Sequence, residues 1–285
     1  MTHCITDTES LAKVSLSIRK SVIQALAEAG SGHLGGSLGL ADVFTALYFS
    51  VLRQDPEKPD WPERDRLILS IGHVAPVLYA SLAHAGYFPV EELTTLRKLG
   101  SRLQGHPGRD HGLPGIEFSS GSLGQGLGVA IGLALAGKLD LSERRIYCIL
   151  GDGELQEGSV WEAAMAAAHH NLGKLTAIVD CNGLQIDGKT KEVMDLEPLD
   201  EKWKSFGWNV FDCNGHDFKS LLEAFKNTDA FPEQPSVILA HTIMGKGVKS
   251  IEGDFHWHGK APSAEQAVQF MSELLQMNRN GAVSE

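Results

Sequence analysis

Two short segments carry the residue types that chemistry at a phosphate group needs. Gly151-Asp152-Gly153-Glu154 follows an apolar run at 145–150, and Cys181-Asn182-Gly183-Leu184 follows a second run at 175–180. One carboxylate, one side-chain amide oxygen and a backbone carbonyl form a partial shell of hard oxygens. Such a shell suits Mg2+ or Ca2+ once phosphate oxygens complete it. Glycines on both sides of Asp152 let the backbone approach a bulky anion. The same residues also suit a strand-to-helix turn, with Asp152 as an N-cap and Asn182 as a turn residue, and spacing alone leaves both readings open.

A third segment, Gly121-Ser122-Leu123-Gly124-Gln125-Gly126-Leu127-Gly128, opens an apolar helix expected over 127–137. A glycine-rich turn at a helix start offers free N–H groups to an anion, although close helix packing through a glycine face explains it equally well. It is not a dinucleotide fingerprint, because Ile131 occupies the third glycine position and no acidic residue ends a strand about twenty residues on. Residues 183–190 match the phosphate-loop pattern. That match is rejected, because Asp187 would place a carboxylate in the cradle and the obligatory helix does not follow. Among the histidines that stand beside glycine or proline are His33, His73, His106 and His258. Such positions belong to loops, which can converge on one cleft, and imidazole is the natural proton carrier near neutral pH.

These residues need a frame. The chain has 285 residues, 42% of them hydrophobic, enough for a substantial core. With 36 acidic against 25 basic side chains, the net charge of −11 argues against binding to nucleic acid or an anionic membrane. The four cysteines lack metal-ligand spacing and read as reduced thiols of a cytoplasmic protein. Neither a signal peptide nor a membrane span is expected. Apolar residues at helical spacing predict a helix over 11–29 that ends at Gly30, and further helical patterns cover 74–86, 89–99, 157–171 and 217–228. Another apolar stretch spans 38–52. Short apolar runs at 66–71, 145–150, 175–180, 208–211 and 236–240 alternate with the helices. This pattern predicts one α/β domain over 11–277, with a mainly parallel sheet covered on both faces, after an N-terminal segment at 1–10. The polar stretch 278–285 is expected to fray. Ligands of such sheets sit beyond the carboxyl ends of the strands, where Asp152 and Asn182 fall.

The ordered set of motifs resembles the thiamine diphosphate-binding half of the transketolase family. The matching pieces are Ser31-Gly-His-Leu-Gly-Gly36, Arg64-Asp-Arg-Leu-Ile-Leu-Ser-Ile-Gly-His73, Gln104-Gly-His-Pro107, Gly121-Ser-Leu-Gly-Gln-Gly126, Gly151-Asp-Gly-Glu-Leu-Gln-Glu-Gly158, Gly245-Lys-Gly-Val248 and Trp257-His-Gly-Lys-Ala-Pro262. The resemblance implies that Asp152, the Asn182 side chain and the Leu184 carbonyl bind Mg2+ or Ca2+, with the diphosphate filling the remaining positions. It places His73, Gly121, Ser122, Leu123, Gly153, Glu154, Asn182 and His258 on the cofactor. His33, His106 and His258 match histidines that face the sugar and shuttle protons. Glu157 matches a carboxylate of the subunit-interface network. Leu34 and Ser122 depart from the family, which often has Pro at both positions.

In this family a glutamate on a second, pyrimidine-binding domain activates the cofactor, which lies between the two domains. The sequence after Trp257-His-Gly259 leaves no room for that domain. The resemblance therefore implies a split transketolase, in which a C-terminal subunit carrying the pyrimidine-binding and C-terminal domains joins this chain, as a heterotetramer. The implied reaction moves a two-carbon ketol unit from a ketose phosphate to an aldose phosphate. The alternatives are a component of another thiamine diphosphate enzyme, of the 1-deoxyxylulose-5-phosphate synthase or 2-oxo acid dehydrogenase type, and a non-catalytic protein that retains the diphosphate fold.

Overall fold

A computed structural model describes residues 4–281. Five parallel strands form the central sheet: β1 (Arg66–Leu69), β2 (Ile146–Gly151), β3 (Leu175–Cys181), β6 (Asn209–Asn214) and β7 (Ser236–His241), in the order β1-β2-β3-β7-β6. A two-stranded antiparallel hairpin, β4 (Leu184–Gln185) with β5 (Gly188–Lys189), follows β3 directly. The helices are α1 (Thr8–Ala29), α2 (Leu34–Gly39), α3 (Ala41–Ala46), α4 (Ala75–His84), α5 (Gly126–Leu139), α6 (Gly158–His169), α7 (Thr190–Val193), α8 (Leu199–Ser205), α9 (Phe218–Asn227) and α10 (Ala264–Gly281). The α/β class, with helices on both faces, is as expected from the alternation of strands and helices.

The continuous apolar runs are explained by which core each side chain enters. Ile68, Ile146, Cys148, Leu150, Ala177, Val179, Val237 and Leu239 enter one core with residues of α5, α6 and α8. Their neighbours Leu67, Leu69, Tyr147, Ile149, Ile178, Ile238 and Ala240 enter the other, with residues of α1 to α4, α9 and α10. Period-two alternation thus buries both faces, so no polar face shows in the sequence.

Local signals set the ends of α1. Asp7 Oδ1 accepts from Ser10 N at 2.7 Å, which starts the helix three residues before the expected position, and Gly30 closes it at φ 64°. The 38–52 stretch divides among the end of α2, all of α3 and a π-helical turn at Leu47–Val51. The helical pattern at 89–99 yields only a 3₁₀ segment, Val90–Thr95, closed by a turn in which Arg97 takes φ 60°. Residues 183–190 form the hairpin, in keeping with the rejected phosphate loop. The sequence reading missed α10, whose Phe270 and Leu274 are buried beside α1. That helix runs through Gly281, so residues 278–281 are helical rather than frayed; residues 282–285, also expected to fray, lie outside the described residues.

One buried carboxylate fastens the carboxyl edge of the sheet. Glu154 Oε1 accepts from Ser70 Oγ, just past β1, and from Gly124 N at 2.8 Å in the glycine-rich turn. Its Oε2 accepts from Gly151 N at 3.2 Å, and Ser70 Oγ in turn accepts from Gly126 N at 3.0 Å. A Cβ on Gly126 would collide with Ser70, so glycine is required where α5 meets β1. Glu154→Ala strips the acceptor from two backbone N–H groups and one hydroxyl, and is expected to lower stability by about 3 kcal/mol. Lys204→Ala, which removes the exposed pair with Asp200, should leave stability nearly unchanged. Urea denaturation of both variants measures the contrast.

Candidate active site

The strand ends open into a cleft of about 400 Å³. Register places Gly151 opposite Asp180, so Asp152 and Asn182 leave adjacent strands side by side. Asp152 Oδ1 accepts from Gly153 N at 2.7 Å and Oδ2 from Gly183 N at 2.6 Å. Asn182 Nδ2 donates to Asp180 Oδ2 at 2.8 Å. An ionised carboxylate only accepts, so this bond turns the amide oxygen away from Asp180. That oxygen accepts from Leu184 N at 2.9 Å and keeps a second lone pair. Burial, reinforced by Asp180, pushes the Asp152 carboxyl up to about 7. Burial likewise pushes Asp180 to about 6, against the hydrogen bonds from Thr242 and Asn182. Two buried carboxyls resisting ionisation side by side make a position that a cation would stabilise.

Four imidazoles line the same cleft as this pair. His33 precedes α2, His73 follows β1, and His106 and His258 lie in loops. Ring centroids separate His33 from His73 by 5.1 Å, from His258 by 5.8 Å and from His106 by 6.3 Å, and His73 from His258 by 5.0 Å. Burial, with the neighbouring His258 next, lowers His73 to about 3 and His33 to about 4. Burial also lowers His106 and His258. All four are therefore neutral at pH 7, each with one nitrogen to donate and one to accept. Nδ1 of His33 and Nδ1 of His258 are buried without a hydrogen-bond partner.

Of the residues expected at the site, His33, His73, His106, Gly121, Leu123, Asp152, Gly153, Glu154, Asn182, Leu184 and His258 line this cleft, as does Glu157. Ser122 does not. It is exposed, and its segment presents Gly121 and Leu123 to the cleft instead. Glu154 is nearly fully buried, and the three groups that donate to it all belong to the protein. Sequence reasoning missed Gln156, Gln185, Ile186 and Met244. Gln185 and Ile186 belong to the hairpin, where Gln156 Nε2 donates to Gln185 Oε1 at 2.8 Å. Met244 follows β7, and the rule that sites lie beyond strand ends could have found it.

The family description "Transketolase, thiamine diphosphate binding domain" matches residues 12–283. The chain belongs to the transketolase family. The 6-deoxy-6-sulfo-D-fructose transketolase subunit SqwG of Clostridium sp. (strain MSTE9) is 44% identical over 257 residues, which is 90% of this chain and 93% of the relative. An apulose-4-phosphate transketolase subunit of Phocaeicola vulgatus is 41% identical over 271 residues, covering 94% and 96% of the two chains. The solved transketolase of Leishmania mexicana superposes with a TM-score of 0.87 at 32% identity; 95% of this chain is matched, but only 42% of that enzyme. This transketolase chain thus spans less than half of that solved enzyme and nearly all of the relatives named as subunits. Leu34, where the family often has Pro, opens α2 and is fully buried in the core, and its N–H donates to Lys260 O at 3.2 Å, a bond that Pro could not make.

The donors present fit thiamine diphosphate and a divalent ion. Asp152, Asn182 Oδ1 and the Leu184 carbonyl supply hard oxygens only, and the unpartnered imidazole nitrogens await a polar ligand. Among the described residues, no group of three His, Cys, Asp or Glu side chains that could hold a metal ion is present.

The buried histidines set a pH dependence in the chain without cofactor. Their folded values lie below the ordinary 6.5, so below that pH the unfolded chain binds protons that the folded chain refuses. Unfolding free energy should fall as pH drops from about 6.5 toward 4, and recover above 6.5. Asp152 and Asp180 titrate in the opposite sense, so the measurement is the difference between the wild type and His73→Gln. Urea midpoints at pH 7, 5.5 and 4.5 should fall more steeply for the wild type.

Proposed function

We propose that this chain is the cofactor-binding subunit of a two-subunit transketolase, which moves a two-carbon ketol unit from a ketose phosphate to an aldose phosphate. The observation that carries the reading is the convergence of four neutral imidazoles on one cleft with the Asp152 and Asn182 pair. Asp152, Asn182 and the Leu184 carbonyl would hold Mg2+ or Ca2+, and the metal would hold the diphosphate. Gly121, Leu123, Gly153 and His73 would border the cofactor, while Glu154 acts from behind by holding the glycine-rich turn and β1 in place. When bound, thiamine diphosphate supplies the carbon nucleophile that carries the two-carbon unit.

The chain's own contribution is proton management. His33, His106 and His258 are uncharged at neutral pH, so each can accept a proton from a sugar hydroxyl and return it without first losing one. The unpartnered Nδ1 atoms of His33 and His258 suit such hydroxyls. Gln185, Ile186 and Met244 wall the cleft beside them.

The reading includes a second polypeptide. Two relatives that match nearly all of this chain are themselves called subunits, and their names specify one sulfonated and one phosphorylated sugar. Helix α5 is apolar or glycine at every position from Gly126 to Gly137, yet Gly128 and Gly132 face open space. An apolar helix with one face uncovered is an assembly surface. The partner would carry the pyrimidine-binding and C-terminal domains and the activating glutamate, in a heterotetramer of two copies of each chain. A cytoplasmic location accords with the four free thiols, and no described helix is long and apolar enough to cross a membrane.

Reconstitution tests this reading. With thiamine diphosphate and Mg2+, the chain alone should give no ketol transfer, and mixing with a C-terminal transketolase subunit should restore it. Transfer by the chain alone would overturn the two-subunit reading. In the mixed enzyme, Asp152→Ala should abolish measurable cofactor binding by calorimetry. Alanine at His33, His106 or His258 should instead lower turnover on the order of 10²-fold, with cofactor affinity retained.

A further inference from the structure

The strap that follows β7, Thr242-Ile243-Met244-Gly245-Lys246, brings Met244 to the cleft and is gripped at both ends. At one end, Ile243 N donates to His216 Nε2 at 2.8 Å. At the other, Arg19 Nε donates to Lys246 O at 3.1 Å. One carboxylate orients both grips. Asp42 Oδ2 accepts from His216 Nδ1 at 2.8 Å and from Arg19 Nη2 at 2.7 Å, while Oδ1 accepts from Arg19 Nη1 at 2.8 Å and from Ser15 Oγ at 2.5 Å. Burial opposes a charge on Asp42, yet Arg19 and then His216 hold its carboxyl well below the usual range. These bonds also set the tautomer of His216. A backbone N–H can only donate, so Nε2 presents its lone pair to Ile243 and Nδ1 carries the proton given to Asp42.

Arg19 lies on α1, Asp42 on α3 and His216 between β6 and α9, and none of the three lines the cleft. The strap connects them to it. Thr242 Oγ1 donates to Asp180 Oδ1, and the other oxygen of Asp180 accepts from Asn182 Nδ2 at 2.8 Å, the bond that turns the Asn182 amide. Gly245 N donates to Gly35 O at 2.8 Å, two residues after His33. The strap fits closely against α2, since a Cβ on Gly35 would fall 2.6 Å from Met244 Cγ. A displaced strap therefore disturbs Met244, the Asn182 amide and the start of α2 together.

We infer that His216 is a positioning residue for the cofactor cleft: oriented by Asp42, it fixes Ile243 N, and through the strap it keeps the Asn182 oxygen set for a metal ion and Met244 in the cleft wall. Partners behind a ligand commonly set its orientation and affinity in this way. The inference rests on the proposed function for the identity of the bound group, thiamine diphosphate with Mg2+, but not for the placement of the residues that receive it.

Two substitutions separate the two bonds of His216. An asparagine amide reaches the place of Nδ1 and can still donate to Asp42, but it leaves Ile243 N without an acceptor. A glutamine amide reaches the place of Nε2 and can accept from Ile243 N. His84 of α4 serves as the control for lost stability alone, because its Nε2 meets Ser21 Oγ at 2.9 Å and it lines no part of the cleft. Calorimetry on this chain alone, with Mn2+ and inorganic pyrophosphate as the probe, requires neither partner nor turnover. His216→Asn should weaken pyrophosphate binding by about 10-fold, His216→Gln by less than about 3-fold, and His84→Asn should leave it unchanged while lowering the urea midpoint. Thr242→Val removes the next link without touching His216, and should also weaken binding by about 10-fold. Amide exchange at Ile243 and Gly245 should quicken in His216→Asn but not in His216→Gln. Unchanged affinity in His216→Asn or in Thr242→Val, or equal losses in His216→Asn and His216→Gln, would overturn the inference. So would a wild-type chain that binds no pyrophosphate. In the reconstituted two-subunit enzyme, thiamine diphosphate with Mg2+ should repeat the same order of variants. If the order holds for pyrophosphate but the reconstituted enzyme binds no thiamine diphosphate, the positioning role stands and the transketolase reading fails.

Discussion

The Glu154 carboxylate is the constraint on which the site depends. It is buried at the base of the cleft lining, where it satisfies N–H groups from the glycine-rich turn and from the end of β2, and it receives the hydroxyl that follows β1. Burial raises its carboxyl, while these three donors oppose the rise. Without such an acceptor, three polar groups would be stranded in an apolar edge, and the turn that brings Gly121 and Leu123 to the cleft would lose its anchor.

The two walls of the cleft follow opposite electrostatic rules. On one wall, burial keeps imidazoles neutral, which fits them to exchange protons with hydroxyls. On the other, burial sets two carboxyls side by side and raises both, which fits them to receive a cation. The carboxyls are tied to the strand ends by hydrogen bonds. Asp180, for example, accepts from Thr242 Oγ1 past β7 and from Asn182 Nδ2 past β3. A largely buried network of the same kind joins Arg19, Asp42 and His216, with His216 Nε2 accepting from Ile243 N at 2.8 Å. It thereby seats the segment that carries Met244.

The molecule also divides its surface. Both faces of the sheet are sealed by helices, but α5 leaves glycines bare on an apolar surface, and the exposed Met165 of α6 follows on the neighbouring helix. Unfinished apolar surface of this kind is explained by assembly with something outside this chain.

Much of this was legible in the sequence. Continuous apolar runs specified parallel strands, since strands buried on both faces leave no polar alternation. Asp152, Asn182 and the glycine-flanked histidines were visible because they directly follow strands or interrupt regular structure, where local chemistry, and not packing, selects the residue. Helix α10 was overlooked although Ala267, Phe270, Met271 and Leu274 recur at helical spacing; what the sequence did not show is the surface they pack on, since α1 lies more than 230 residues away. Ser122 shows the opposite failure, since a motif position says nothing about which way a turn faces. The scaffold role of Glu154 and the wall formed by Met244 both come from contacts between segments distant in the chain. Residue type and spacing determined the chemistry that this protein could perform; only the tertiary structure decided which groups meet, because burial and long-range hydrogen bonds are properties of the folded arrangement and not of any local stretch of sequence.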